Sequence, residues 1–347
     1  MNAYLAGLGR LLRLSGLLVG VAVLAACSSS GSGTSTGGTA AACDPADAST
    51  ANQCGELLVA VTDADGDFVS YAVDVLSVSL QRPNGASVEM LPAATRIDFA
   101  ELTTLSELLS SALVAPGDIA GGSIRVDYSN AEIYVESGGG VVLAEAVDDT
   151  GTPLGVVDLD IQLDDRERLV ITRGRTALLS IDFDLAASHE VDLNFVPVRI
   201  TTRPYLSAEV RPLDEKELRV RGPLIDVDTA AGTYDIRVRP WHRRDGDFGT
   251  LTVHTTAATE FEIGDDIFTG APGLAALENL GAGALTVAFG TLDVSSREFT
   301  AQIVHAGDSV GGDRFSAVHG NVVARSGDTL TVKGALAVHR DRPAHYR

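Results

Sequence analysis

The sequence predicts a mainly β chain: an antiparallel β-sandwich followed by a second β unit that begins to repeat itself. Three observations carry this. Apolar and polar residues alternate with period two through most of the chain after residue 54. Turn-forming residues separate these runs at short intervals, as at Pro83-Asn84-Gly85. And R-V-R-G-P-L-I-D-V-D-T-A-A-G-T-Y-D-I-R-V (219–238) returns as A-V-H-G-N-V-V-A-R-S-G-D-T-L-T-V-K-G (317–334), both reading apolar–x–Gly–x–apolar, turn, alternating strand.

Gly55-Glu56-Leu57-Leu58-Val59-Ala60-Val61-Thr62 opens the first strand. In the next, Val69, Tyr71, Val73 and Val75 alternate with Ser70, Ala72, Asp74 and Leu76. A short strand ends at Leu91. Thr104 to Leu113 reads as a helix, because Leu105, Leu108, Leu109 and Ala112 share one helical face and Pro116-Gly117 follows. Strands resume at 122–127 and 131–136, then near 141–147, 154–163, 168–173, 177–184 and 194–210. Many short strands joined by turns predict a sandwich over 55–213. The second unit spans 216–312, and 313–347 holds a partial repeat of it. Two strands cannot close a barrel, so either the chain is part of a longer protein, the reading favoured, or the tail packs on its neighbour.

The N-terminal segment has a different character. Arg10 and Arg13 precede an apolar run from Leu14 to Leu24, too short for a comfortable membrane span. Small residues then lead to Cys27 in L-A-A-C, which resembles the lipobox of bacterial lipoproteins. The resemblance implies a signal peptide over 1–27, cleavage before Cys27 and acylation of that cysteine; several acyl chains anchor firmly where one is marginal. Ser28 after the cysteine resembles outer-membrane rather than inner-membrane lipoproteins. Residues 28–42 are almost all Ser, Gly, Thr and Ala and form a flexible tether. Cys43 and Cys54 remain within the tether region 28–54. In an oxidising exported compartment such a pair reads as a disulfide.

The chain carries 26 Lys+Arg and 47 Asp+Glu, a net charge of −21. That balance argues against nucleic acid as a partner and favours cations.

Two further resemblances bear on fold. L-L-V-A-V-T-D-A-D-G-D-F-V-S-Y-A-V-D-V-L-S-V-S-L (57–80), with Ala115-Pro116-Gly117 after it, resembles an uncharacterised family of bacterial lipoproteins over about 55–213. The R-G-P-L-I-D-V-D start (221–228), the T-E-F-E-I strand (259–263) and F-T-A-Q-I-V (299–304) are similar to a small OB-like β-barrel module found in tandem in exported bacterial proteins. These resemblances imply a fold and a location but no activity.

Four groups of residues are weighed for function. Asp63, Asp65 and Asp67 place carboxylates at alternate positions, with Asp74 eleven residues after Asp63, as a calcium loop does; the competing reading is a solvated Asp-Gly turn, and Phe68 stands where an EF-hand needs Gly. Arg237, Arg239, Trp241 and Arg243 share parity on one strand and form an outward stripe suited to an anionic glycan, or a solvated face balancing nearby Asp. Gly307-Asp308-Ser309-Val310-Gly311 matches a nucleophile motif by letter only, since no helix signal follows it. The seven histidines show no metal-ligand spacing. The expected function is therefore non-catalytic: a lipid-anchored protein of the cell envelope at the outer membrane, carrying binding or structural β modules. Its membrane contact is the anchor, and its partner a glycan or an envelope protein. The alternative is a calcium- or anionic-glycan-binding adhesion module, with Ca²⁺ as the one cofactor considered.

Overall fold

The computed structural model describes residues 43–63, 68–137, 140–163, 169–202, 207–209, 216–239, 246–293, 296, 298–310, 317–338 and 345–346. They belong to one compact unit. No helix among them is long and apolar enough to cross a membrane.

The fold is mainly β, as expected. The strands of the first part are β1 (Gly55–Thr62), β2 (Phe68–Gln81), β3 (Ser87–Glu89), β4 (Thr95–Asp98), β5 (Leu105–Val114), β6 (Gly117–Ile119), β7 (Gly121–Ser137), β8 (Gly140–Val147), β9 (Val156–Leu163), β10 (Leu169–Ile171) and β11 (Thr176–Asp182). After α1 (Leu185–Ser188) come β12 (His189–Asp192), β13 (Val198–Thr202) and β14 (Ser207–Glu209). β1 lies between β5, antiparallel, and β11, parallel. β2 pairs with β3, β4 and β7; β7 pairs in turn with β8 and β9, and β8 continues through β13 to β12. The pairing is thus mixed rather than purely antiparallel. One apolar core joins the two groups, with Leu57, Val59, Tyr71, Val73, Ile97, Phe99, Val126 and Phe183 all buried.

Two local expectations change. The Thr104–Leu113 segment is not a helix but strand β5. Leu108, Leu109, Ser110 and Ser111 are buried in succession, because β5 is covered on both faces. A doubly covered strand loses its alternation, so its leucines fall by chance at helical spacing. The strands expected at 122–127 and 131–136 are one 17-residue strand, β7, which β2 follows through three register shifts. Bulges of this kind bend a long strand without ending it.

The second part comprises β15 (Glu217–Asp228), β16 (Thr233–Arg237), β17 (Thr250–His254), β18 (Glu260–Ile263), β19 (Asp266–Thr269), α2 (Ala271–Leu280), β20 (Leu285–Asp293) and β21 (Glu298–Ala306). Pairing runs in a ring, β15–β16–β17–β21–β20–β15. The β17–β21 seam is parallel and holds two residue pairs, Val253↔Phe299 and His254↔Thr300. The five strands form a circuit of pairings but not a closed barrel, which is the form the R-G-P-L-I-D resemblance implies. Gly222 of that motif sits where a Cβ would fall 1.8 Å from the Arg237 carbonyl oxygen, so only glycine lets β15 pass β16 this closely. Tyr234, Ile236, Val253, Phe261, Phe299 and Val304 fill the interior.

The last strands are β22 (Ala317–Ser326), β23 (Thr329–Val338) and β24 (His345–Tyr346). β22 and β23 form a hairpin through Ser326↔Thr329.

Candidate functional site

The structure separates the residues weighed in the sequence. Cys43 and Cys54 form the expected disulfide, closing a loop just before β1. Cys27 lies outside the described residues.

Of the carboxylates at Asp63, Asp65, Asp67 and Asp74, Asp65 and Asp67 lie outside the described residues. Asp63, at the end of β1, points inward and is fully buried. Its Oδ1 accepts the Leu185 amide at 3.0 Å, and its Oδ2 has no hydrogen-bond partner. Burial pushes its carboxyl up to about 8, with Asp182 and Asp184 adding to the rise. Asp74 belongs to a different network on β2, where Arg96 Nη1 donates to its Oδ1 at 3.2 Å. The two described members of the set do not converge. Among the described residues no group of three or more His, Cys, Asp or Glu is placed to hold a metal ion.

On β16 the parity is as read from the sequence. Arg237 is exposed, while Ile236 and Val238 are buried. Arg239 follows, its amide donating to the Arg221 carbonyl at 2.8 Å. Trp241 and Arg243 lie outside the described residues. Ser309 sits in a short 3-10 turn, Gly307–Ser309, and its hydroxyl donates to the Gly264 carbonyl at 3.1 Å. That is no strand-to-helix elbow.

The sequence reading missed a polar cluster in the sandwich core. Asp98 caps the 3-10 turn Phe99–Leu102 and accepts from Ser70 Oγ at 2.6 Å, the Tyr71 amide at 2.7 Å and the Ala100 amide at 3.2 Å. Burial still raises its carboxyl to about 6. His189 Nδ1 lies 2.8 Å from the Leu185 carbonyl, to which it can only donate. Its Nε2 is then an acceptor for the Tyr71 hydroxyl, 2.6 Å away, and Tyr128 lies 3.1 Å from that same hydroxyl. Burial pushes the imidazole down to about 4 and the phenol of Tyr71 well above its usual range. Lys216 closes the edge, its Nζ donating to Thr62 Oγ1 at 2.8 Å and the Asp63 carbonyl at 2.7 Å. Apart from Asp98 with Ala100 and His189 with Leu185, the partners in this cluster are 27 to 154 residues apart in sequence, so no local motif announces them. Tyr71 is fully buried. The hydrogen bonds of Asp98, Tyr71 and His189 run to core polar groups and backbone, and Lys216 lines a small surface hollow beside the cluster.

A second polar group fixes the barrel to the sandwich. Glu107 of β5 is fully buried and faces Arg219 and Arg221 of β15. Arg221 Nε and Nη2 donate to its two oxygens at 2.8 and 3.1 Å, and Arg219 Nε donates to Oε2. β15 runs parallel to β5 alongside, from Glu217↔Leu105 to Arg219↔Glu107.

One surface hollow of the second part is acidic. Glu262, Asp265, Asp266, Asp308 and Ser309 line a space of about 610 Å³. Ile267, 68% exposed, lies on the strand paired with Glu262, and Leu280, 39% exposed, lines the adjoining hollow.

No family model matches the chain, no curated protein matches it, and no solved structure matches it.

Proposed function

We propose that the chain is a lipid-anchored protein of the cell envelope, held at the outer membrane through Cys27, whose β modules bind or build rather than catalyse. The observation that carries this reading is the order of L-A-A-C, a 15-residue Ser/Gly/Thr/Ala segment and the Cys43–Cys54 disulfide immediately before β1. A random coil of that length would span about 20 Å on average, enough to let a folded unit stand off a bilayer. A disulfide at its far end suits an oxidising compartment. The buried Asp, His and Tyr side chains also support a non-catalytic reading, since their hydrogen bonds run to one another and to backbone. The test is membrane fractionation of cells making the chain. The wild type partitions with the outer membrane, and Cys27→Ala does not; equal partitioning of the two would overturn the reading.

A second reading, an anionic-glycan-binding module, is favoured by one observation: Arg237 stands exposed on β16 while its neighbours Ile236 and Val238 face the barrel core. For the calcium reading, Asp63 turns inward and Asp74 is ion-paired with Arg96, while Asp65 and Asp67 lie outside the described residues. Loss of glycan retention in Arg237→Ala, with unchanged melting, supports the glycan reading; retention unaffected by the change removes it.

A further inference from the structure

β18, β19, β20 and β21 share an outer face whose side chains fall in two rows. The register sets Phe289 opposite Ile303 and Ile303 opposite Glu260 in one row. The other row runs Val287, His305, Glu262, Ile267. Alternation turns the intervening residues inward, and Ala288, Val304 and Phe261 are buried. Ile303 is 38% exposed and Ile267 68%, with Val287 and Phe289 half-buried beside Ile303. Apolar side chains in register on adjoining strands, rimmed by polar ones, mark an interaction surface. The polar rim is held in place. His305 Nδ1 lies 3.1 Å from Glu262 Oε2, and its ring meets Phe289 edge to face with centroids 5.9 Å apart.

Charge selects the occupant. Residues 260–293 and 298–310 build this face and its flank, and they contain eight Asp and Glu and no Lys or Arg. Arg297 lies outside the described residues. Arg219 and Arg221 continue the two rows on β15, but their guanidinium groups turn to Glu107 and Glu101. The hollow lined by Glu262, Asp265, Asp266 and Asp308 adds to the negative field at the β18–β19 turn. A second copy of a chain at −21 is repelled by such a face, as are nucleic acid and anionic lipid. A basic partner is drawn to it.

Spacing selects the form of that partner. Neighbouring strands lie about 4.8 Å apart, and same-side residues of an extended chain about 7 Å apart. An extended segment laid across the strands seats one apolar side chain between Phe289 and Ile303. Its next same-side residue then falls at Glu260 and Glu262, one and a half strands away.

We infer that the outer face of β18–β21 docks an extended basic segment of a partner polypeptide. An apolar residue of that segment sits on Phe289 and Ile303, and a lysine or arginine two positions away meets Glu260 and Glu262. The inference rests neither on the anchor at Cys27 nor on the Arg237 reading.

The test is fluorescence anisotropy of the full chain in a non-ionic detergent with a labelled peptide of three L-T-K-T repeats. When extended, that peptide presents leucine and lysine alternately on one side. Peptides of L-T-E-T and S-T-K-T repeats are run beside it. The expected result at low salt is saturable binding of L-T-K-T and at least tenfold weaker binding of the other two. Glu260→Lys and Ile303→Ser, with melting temperatures confirming that both remain folded, should weaken L-T-K-T binding at least tenfold. Glu278→Lys, on α2, changes the net charge equally and should bind as wild type. Five results would overturn the inference: no saturable binding of L-T-K-T, equal binding of S-T-K-T, binding that neither face variant weakens, an equal loss in Glu278→Lys, or self-association of the chain that Ile303→Ser abolishes, which would assign the face to a second copy.

Discussion

Glu107 and Arg221 meet across the junction of sandwich and barrel, with Arg221 Nε 2.8 Å from Glu107 Oε1 and the carboxylate fully buried. Arg219 reaches the other oxygen, and its Nη2 also lies 3.7 Å from Glu101 Oε2, so two acids face two cations from β15. Removing one member of a buried ion group strands its partners, which costs more than the group contributes. Glu107→Gln is therefore expected to lower stability by about 3 kcal/mol, read from denaturant midpoints at unchanged slope. A change under about 0.5 kcal/mol, the ordinary range for surface substitutions, would show that the junction holds without its charge.

A second contact at this junction is backbone on backbone. The Ser111 amide donates to the Phe248 carbonyl at 2.8 Å, and a Cβ on Gly249 would lie 1.9 Å from the Ser111 carbonyl oxygen. Gly249 also has φ +94°, a conformation other residues adopt only at a cost. Gly249→Ala is expected to destabilise by about 3 kcal/mol, the upper end for strain of this sort. Gly327→Ala, at φ +59° with open space around it, serves as the control and should cost less.

Asp63 sets a pH dependence. Its carboxyl stands near 8 in the folded chain and at 3.8 as an ordinary aspartate. The folded state therefore holds a proton that the unfolded state has lost between those values. Stability falls as pH rises from about 4 to 8, by at most ~1.4 kcal/mol per pH unit from this group. Asp63→Asn keeps an acceptor for the Leu185 amide and removes the titration. The variant should match wild type near pH 4 and exceed it at pH 8. Parallel stability curves for the two proteins would contradict the placement of Asp63.

His189 acts in the opposite sense. Its imidazole is pushed down to about 4 from 6.5, so between those values the unfolded chain binds a proton that the folded chain refuses. Its contribution is complete above pH 6.5 and is lost as pH falls toward 4. Proton NMR of the imidazole should show no titration between pH 5.5 and 8. A midpoint near 6.5 would mean that the ring is solvated and that the Tyr71 contact is absent.

The strands were legible where one face meets water, and the disulfide was legible from compartment and spacing. Ile236, Arg237 and Val238 alternate cleanly because the barrel has an inside and an outside. Leu105 to Val114 misled because β5 has no outside: its neighbours cover both faces, and the leucine spacing carries no period-two signal. The circuit of strand pairings in the second part was not legible locally, since β17 and β21 are joined by pairs nearly fifty residues apart. The core cluster was invisible for the same reason. His189 looks like one more scattered histidine until α1 and β12 bring it to Tyr71, 118 residues away. Asp63 read as the start of an acidic turn, and nothing local says that its side chain faces the core.

The anchor at Cys27 is the central claim, and mass spectrometry of the mature N-terminal peptide tests it most directly. The account predicts a chain that begins at Cys27, with acyl groups on the sulfur and on the new amine. An N-terminal peptide that retains residues before Cys27, or one with an unmodified Cys27, would contradict it.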